Sequence, residues 1–324
     1  MRAVQVLQPT GPADVRVVDV PEPEPGPGDV VVEVHSVGVS FPDLLLSQGR
    51  YQLRPEPPFT LGVDVAGTVV GAPSGRPGVE LGARVAGVVP YGGAAERVVV
   101  PVSAVFPLPE RTSYDEGAAL PMNYLTALFA LAERGHVREG ETVLVHGAAG
   151  GVGTATLQVA RGLGARTIAV VSTDEKAAFA RSAGADEVLL LDGFKEAVAD
   201  LTGGRGVDVV LDVVGGDVFT DSLRCLTEQG RLLVVGFASG RGIPEVKVNR
   251  LLLNNVDVRG VGWGGFAMTK PSYMRGQWDL LLPMIESGVV RPPIGATYDL
   301  DGFGRALQDM ADRRALGKSV VHVR

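Results

Sequence analysis

The stretch VLVHGAAGGVG at positions 143–153 sets small residues behind an aliphatic run, the composition of a strand that turns abruptly into a helix. Ala148, Gly150 and Gly153 fall at A-x-G-x-x-G spacing, with alanine where a dinucleotide fingerprint has its first glycine. Such a turn lets backbone N–H groups at a helix start approach an anion, and the helix dipole favours negative charge there. Ala149, Gly150, Gly151, Val152 and Gly153 are the candidates to lie under a pyrophosphate. The alternative use of the same glycines is close packing of a helix on a sheet.

Some twenty residues on, the segment RTIAVV ends at Val171 without the carboxylate that an NAD site offers to the ribose hydroxyls. Ser172 and Lys176 stand there instead, types that suit a 2′-phosphate, so the pattern favours NADPH. Asp174 and Glu175 open the next helical segment and also read as plain N-terminal helix acids, and Lys176 also as an exposed helix lysine.

The elements that must position these residues alternate. From about residue 113, strand-like runs (TVLVHG, RTIAVV, EVLLL, VDVVLDVV, RLLVVGF, VDVRGVG) are separated by helical ones, among them VFTDSLRCLTEQG. This order predicts an α/β fold with right-handed crossovers on a doubly wound parallel sheet of six strands. The first hundred residues read as β throughout, in short β-branched runs punctuated by Gly and Pro. After about residue 267 come two helices and two strands, too little for a domain alone and expected to complete the N-terminal β domain. The expected division is 1–115 with 268–324 for the β domain, and 116–267 for the dinucleotide-binding domain.

Composition narrows the function. A net charge of −7 without a basic cluster argues against nucleic acid as a partner. The single cysteine, Cys225, excludes an internal disulfide framework and any site of several thiolates, and fits a cytoplasmic setting. The long charge-free window at 142–160 holds four glycines, His146 and Gln158, too polar for a membrane span. His35, His136 and His322 show no metal or triad spacing, His146 reads as a buried strand-end histidine, and Asp43 and Asp64 as capping residues.

Taken together, NYLTALFAL, VLVHGAAGGVGTATLQVA, GADEVL, GVDVVLDVVGG, GRLLVVGF and the terminal GKSVV resemble the medium-chain dehydrogenase/reductase superfamily over essentially the whole chain. Within it the likeness is to the zinc-independent quinone oxidoreductase (zeta-crystallin-like) branch. The resemblance implies a GroES-like, mainly-β domain joined to a Rossmann domain, and a homodimer paired through VDVRGVG. Where zinc-dependent members carry ligands, this chain has Ser40, Val63 and Met122, and the four-Cys lobe has no counterpart, so neither zinc nor flavin is expected. The chain also departs from the quinone reductase pattern. Ser40-Phe41-Pro42-Asp43 replaces an Asn-led segment, Leu45 replaces a tyrosine of some members, and Leu191 replaces a tyrosine at the adenosine phosphate.

Carried over by position, Thr126 is expected beside the nicotinamide, with a helix-interior threonine as the plain reading. Phe237 and Ala238 are expected at the carboxamide, and Trp263 against the ring or in ordinary packing. Ser40 is expected at the cofactor, and so is Lys318, which reads equally as a solvated lysine; Tyr51 is the candidate to polarise the acceptor or donate a proton. The implied activity is NADPH-dependent hydride transfer to a quinone or similar small conjugated electrophile. Alternatives are reduction of an enoyl or alkenal double bond, and a non-catalytic NADPH-binding or structural role.

Overall fold

The computed structural model describes residues 1–72 and 78–324. The chain divides into two compact units, 1–123 with 270–279 and 292–324, and 124–269 with 280–291.

The first unit begins with β1 (Arg2–Val6), β2 (Val15–Asp19), β3 (Asp29–Gly38), α1 (Phe41–Ser47), β4 (Phe59–Thr60) and β5 (Asp64–Gly71). It continues with β6 (Arg84–Val88), β7 (Arg97–Pro101), β8 (Val105–Pro107) and α2 (Tyr114–Ala119). The sequence reading gave only strands in the first hundred residues; α1 breaks that pattern. Its start is capped locally: the Ser40 N–H donates to Asp43 Oδ2 at 2.9 Å, satisfying a donor that the helix leaves free. Ser113 and Glu116 form the same reciprocal cap on α2.

The second unit opens with α3 (Thr126–Leu128), flanked by wider π-type turns at 121–125 and 129–134. There follow β9 (Thr142–His146), α4 (Gly151–Gly162), β10 (Arg166–Val171), α5 (Asp174–Ser182), β11 (Glu187–Leu190) and α6 (Phe194–Leu201). The second half holds β12 (Val207–Asp212), α7 (Asp217–Cys225), β13 (Leu226–Val234), α8 (Asn249–Asn254), β14 (Asp257–Gly260) and α9 (Trp263–Ala267). The six strands form one parallel sheet in the order β11-β10-β9-β12-β13-β14, the doubly wound arrangement expected from the alternation. All five residues of β9 are buried, as a central parallel strand covered on both faces requires. Leu144, Ile168, Val210, Phe219 and Leu232 pack in one core beneath it. Full burial of each such side chain contributes roughly 1.5–3 kcal/mol.

One boundary differs from the sequence reading. The helix expected to run through VFTDSLRCLTEQG ends at Cys225, and Leu226 already adopts an extended conformation. Leu226 pairs with Val207, and the register then slips before Val209 meets Arg231, so five residues that read as helix are drawn into the strand. Pairing to the sheet outweighs a weak local helix preference.

The chain ends with α10 (Pro271–Glu286), β15 (Ile294–Asp299), α11 (Phe303–Ala311) and β16 (Lys318–His322). β15 and β16 join the first unit in a sheet of order β15-β16-β3-β5-β6-β8, with β7 also on β3. β16 runs antiparallel to β3, with Val320 opposite Gly38, so the last residues of the chain lie beside Ser40. Among the described residues no helix is long and apolar enough to cross a membrane.

Candidate active site

In the second unit the glycine turn sits at the carboxyl end of β9. Gly150 caps α4 in an extended conformation and Gly151 is its first residue. The N–H groups of this first turn have no intrahelical partner by helix geometry, which makes them donors to an anion. The two fingerprint glycines serve different needs. A Cβ on Gly153 would lie 2.2 Å from the Gly147 carbonyl oxygen and 2.7 Å from Ala148 Cα, so only glycine lets the helix approach its own loop. A Cβ on Gly150 would meet nothing nearer than 3.4 Å. Packing within the protein does not demand glycine there, whereas close approach of a phosphate would. The turn therefore fits a dinucleotide on both counts. Ala149 is buried beneath it.

At the end of the neighbouring strand, Thr173 caps α5 by accepting from the Lys176 N–H. This cap directs the Lys176 side chain back along the helix start, where its Nζ donates to Ser172 Oγ at 3.2 Å. Ser172 is exposed and Lys176 half-buried, so a hydroxyl and an ammonium stand together at the surface, with no carboxylate closing the strand. Phe237 and Ala238 lie in the turn after β13; Phe237 is 40% exposed, and the Ala238 N–H donates to the Val213 carbonyl at 3.0 Å. Trp263 opens α9 and is buried. Thr126 is buried at the start of α3. His146 is neutral: burial pushes its pKa down to about 4. Its Nε2 lies 2.7 Å from Ser222 Oγ, whose own proton goes to the Val218 carbonyl. Ser222 can then only accept, so His146 carries its proton on Nε2.

The first unit holds a cluster of a different kind. Lys318 Nζ donates to Asp64 Oδ2 at 2.6 Å and to Ser40 Oγ at 2.7 Å, and Ser40 Oγ donates to Asp64 Oδ2 at 2.8 Å. The Met122 N–H fills the other oxygen of Asp64 at 2.9 Å. Lys318 is 3% exposed and Asp64 0%, so this is a buried ion pair with its hydrogen bonds met. Gly38 makes room for it: a Cβ there would fall 2.5 Å from Lys318 Cε and 2.0 Å from the Ala118 carbonyl oxygen. Asp43 lies beside the pair, accepting from the Ser40 and Gly62 N–H groups. Burial nevertheless pushes its pKa up to about 7, against the opposing pull of those bonds and of Lys318. Tyr51 is half-buried, and burial with the nearby Asp43 charge raises its phenol, which stays protonated and able to donate. The structure thus joins Ser40 to Lys318, and Ser172 to Lys176. The part played by Asp64 was not read from the sequence; an acid inside the buried strand segment GVDVAG was the only signal.

Residues 26–110 match the alcohol dehydrogenase GroES-like domain family, and residues 151–284 match the zinc-binding dehydrogenase family. The chain is 38% identical to quinone oxidoreductase-like protein 2 of Bos taurus over 92% of this chain and 86% of that one. It belongs to the quinone oxidoreductase branch of the medium-chain dehydrogenase/reductase superfamily. It is an oxidoreductase. The Thermus thermophilus quinone oxidoreductase, described with its NADPH complex, superposes with a TM-score of 0.85 at 36% identity over 100% of both chains. The Escherichia coli quinone oxidoreductase, solved with NADPH, does so with a TM-score of 0.90 at 28% identity over 99% of this chain and 100% of that one. The six-stranded sheet and the separate mainly-β unit are those expected of this family. Among the described residues no three His, Cys, Asp or Glu side chains are grouped to hold a metal.

Proposed function

We propose that this oxidoreductase is an NADPH-dependent quinone reductase that works without zinc or flavin. The observation that carries the reading is the Ser172–Lys176 pair at the end of β10, its serine exposed and its lysine half-buried, beside a glycine turn that fits a pyrophosphate. A hydroxyl and an ammonium together suit the 2′-phosphate that distinguishes NADPH from NADH. Related proteins from Thermus and Escherichia coli are described as NADPH complexes.

When bound, NADPH supplies a hydride from C4 of its nicotinamide; the protein supplies placement and shielding from water. The first-turn N–H groups of α4, from Gly151 to Gly153, would hold the pyrophosphate, with Gly150 clearing the approach. Backbone groups of Phe237 and Ala238 would hold the carboxamide, and Thr126 and Trp263 are the residues that would lie by the ring. Within the β unit, Lys318 holds Ser40 in place through their 2.7 Å bond. A quinone disperses the negative charge it gains, so a strong general acid is unnecessary. Tyr51, with its phenol protonated, polarises the acceptor or gives it a proton. Ser40, Val63 and Met122 offer neither thiolate nor imidazole where zinc-dependent relatives place their ligands, which supports metal-free chemistry. β14, at the edge of the six-stranded sheet, is the surface through which two copies pair.

The test is turnover of purified protein with NADPH and, in turn, a quinone, a 2-enoyl thioester or no acceptor. Fastest oxidation with the quinone, unchanged by a chelator, is the expected result. Preference for the thioester, or tight NADPH binding with no oxidation, overturns it. Light scattering at micromolar concentration should give a dimer, and a monomer would remove the β14 pairing.

A further inference from the structure

Asp43, Asp64 and Asp212 are all wholly buried, yet they are satisfied unequally. Both oxygens of Asp43 accept a backbone N–H, and both oxygens of Asp64 are bonded. Asp212 uses only Oδ1, which accepts the N–H groups of Val214 at 2.8 Å and Gly215 at 2.9 Å. Its Oδ2 has no partner among the described residues. A fold rarely keeps a half-satisfied carboxylate at its centre, so what Oδ1 holds must matter.

Asp212 is the last residue of β12, the strand next to β9 where the winding of the sheet reverses. A dinucleotide lies at this switch point in the doubly wound fold. From here Asp212 controls two turns at once. Its side chain closes the turn at 213–216, and its carbonyl accepts the Val235 N–H at 2.9 Å, fixing the start of the turn after β13. The two turns are then laced together by Ala238 N–H to the Val213 carbonyl at 3.0 Å and Ser239 N–H to the Val214 carbonyl at 2.9 Å. The first turn also leans on the glycine loop: a Cβ on Gly147 would fall 2.8 Å from Val213 Cγ2.

We propose that Asp212 is a positioning residue of the dinucleotide site, setting the glycine loop and the Phe237–Ala238 turn relative to each other through the turn at 213–216. This rests on the NADPH reading above. It also accounts for an acid at this position, because bonds from N–H groups to a carboxylate are about twice as strong as bonds to a neutral amide oxygen.

The experiment compares wild type, Asp212→Asn and Asp212→Ala by fluorescence titration with NADPH and with NADH, alongside thermal melting. Loss of two backbone hydrogen bonds should raise Kd by about tenfold in Asp212→Ala, equally for both cofactors. Asp212→Asn keeps both bonds in weaker form and should stay within about threefold of wild type. The acceptor KM at saturating NADPH should not move, which a general loss of structure would not spare. Gly215→Ala supplies a second approach if Asp212→Ala does not fold. Gly215 holds a φ of +64° and donates its N–H to Asp212 Oδ1, and a Cβ there would press to 2.9 Å from Phe237 Cδ1. The turn is then strained at its bond to the carboxylate, and Kd should again rise equally for both cofactors. Wild-type affinity in either Asp212→Ala or Gly215→Ala, or equal losses in Asp212→Asn and Asp212→Ala, overturns the proposal. A wild type that binds neither dinucleotide instead removes the NADPH reading itself.

Discussion

The glycine turn of the second unit and the ionic cluster of the first are built by opposite means. The turn is made of backbone: helix N–H groups, a glycine that admits a neighbour and a glycine that leaves room. The cluster is made of side chains, Ser40, Asp64 and Lys318, with the lysine contributed from 254 residues beyond the aspartate. A backbone site tolerates changes in its surroundings so long as the small residues remain. A buried ion pair does not, because either partner alone is an uncompensated charge.

The strongest way to break this contrast is Lys318→Met. Removing the ammonium leaves Asp64 buried and unpaired, and stability should fall by about 3–5 kcal/mol in urea unfolding. The double variant Lys318→Met/Asp64→Asn, which removes both charges, should recover part of the loss. A fall under about 1 kcal/mol in the single variant would mean the pair is solvated.

pH separates the two units further, because their buried groups titrate in opposite senses. Asp43 has a folded pKa of about 7 against an ordinary 3.8, so between those values the folded chain holds the extra proton. Its contribution is present in acid and is lost as pH rises through 7. His146 has a folded pKa of about 4 against an ordinary 6.5, so there the unfolded chain holds the extra proton. Its contribution is present at neutral pH and is lost as pH falls toward 4. Each slope is on the order of 3 kcal/mol across its window, and in the wild type they oppose one another. Asp43→Asn should leave stability rising between pH 4.5 and 6.5, and His146→Gln should leave it falling. The same slope in both variants would break the assignment.

The contrast also decides what could be read in the sequence. Ala148, Gly150 and Gly153 are close in the chain, and six alternating segments around them sufficed to place the turn on a parallel sheet. Ser172 and Lys176 are likewise four residues apart, one helical turn, so their meeting was legible. Ser40 and Lys318 were each singled out by resemblance, but nothing in the local sequence says that they touch. That contact depends on β16 lying against β3, a pairing between the two ends of the chain. The part played by Asp64 was missed for the same reason, since its bonds run to Ser40, Lys318 and the Met122 N–H. Asp212 bonds N–H groups only two and three residues on, and was missed because an acid at a strand end carries no distinctive mark. The early end of α7 was missed because a register slip in β13 carries no compositional mark.

Lys176→Ala sharpens the backbone side of the comparison. It should weaken NADPH by about 1.5–3 kcal/mol, the scale of a charge-assisted hydrogen bond, and leave NADH unchanged. Equal losses for the two cofactors would show that the lysine acts on the fold of α5 and not on a phosphate.

The smallest effect is expected at Ser172→Ala. Its hydroxyl is neutral and exposed, and its bond to Lys176 Nζ at 3.2 Å restrains the lysine. Losing one neutral donor should weaken NADPH by about 0.5–1.5 kcal/mol, again without moving NADH. Combining the two changes is the informative step. If the serine acts only by steering the lysine, the double variant should bind NADPH no worse than Lys176→Ala, because there is nothing left to steer. If both groups bond the 2′-phosphate independently, the losses should add to within about 0.5 kcal/mol. Affinities from fluorescence titration at fixed ionic strength distinguish the two outcomes, since a solvent-facing ammonium is screened by salt and a hydroxyl is not.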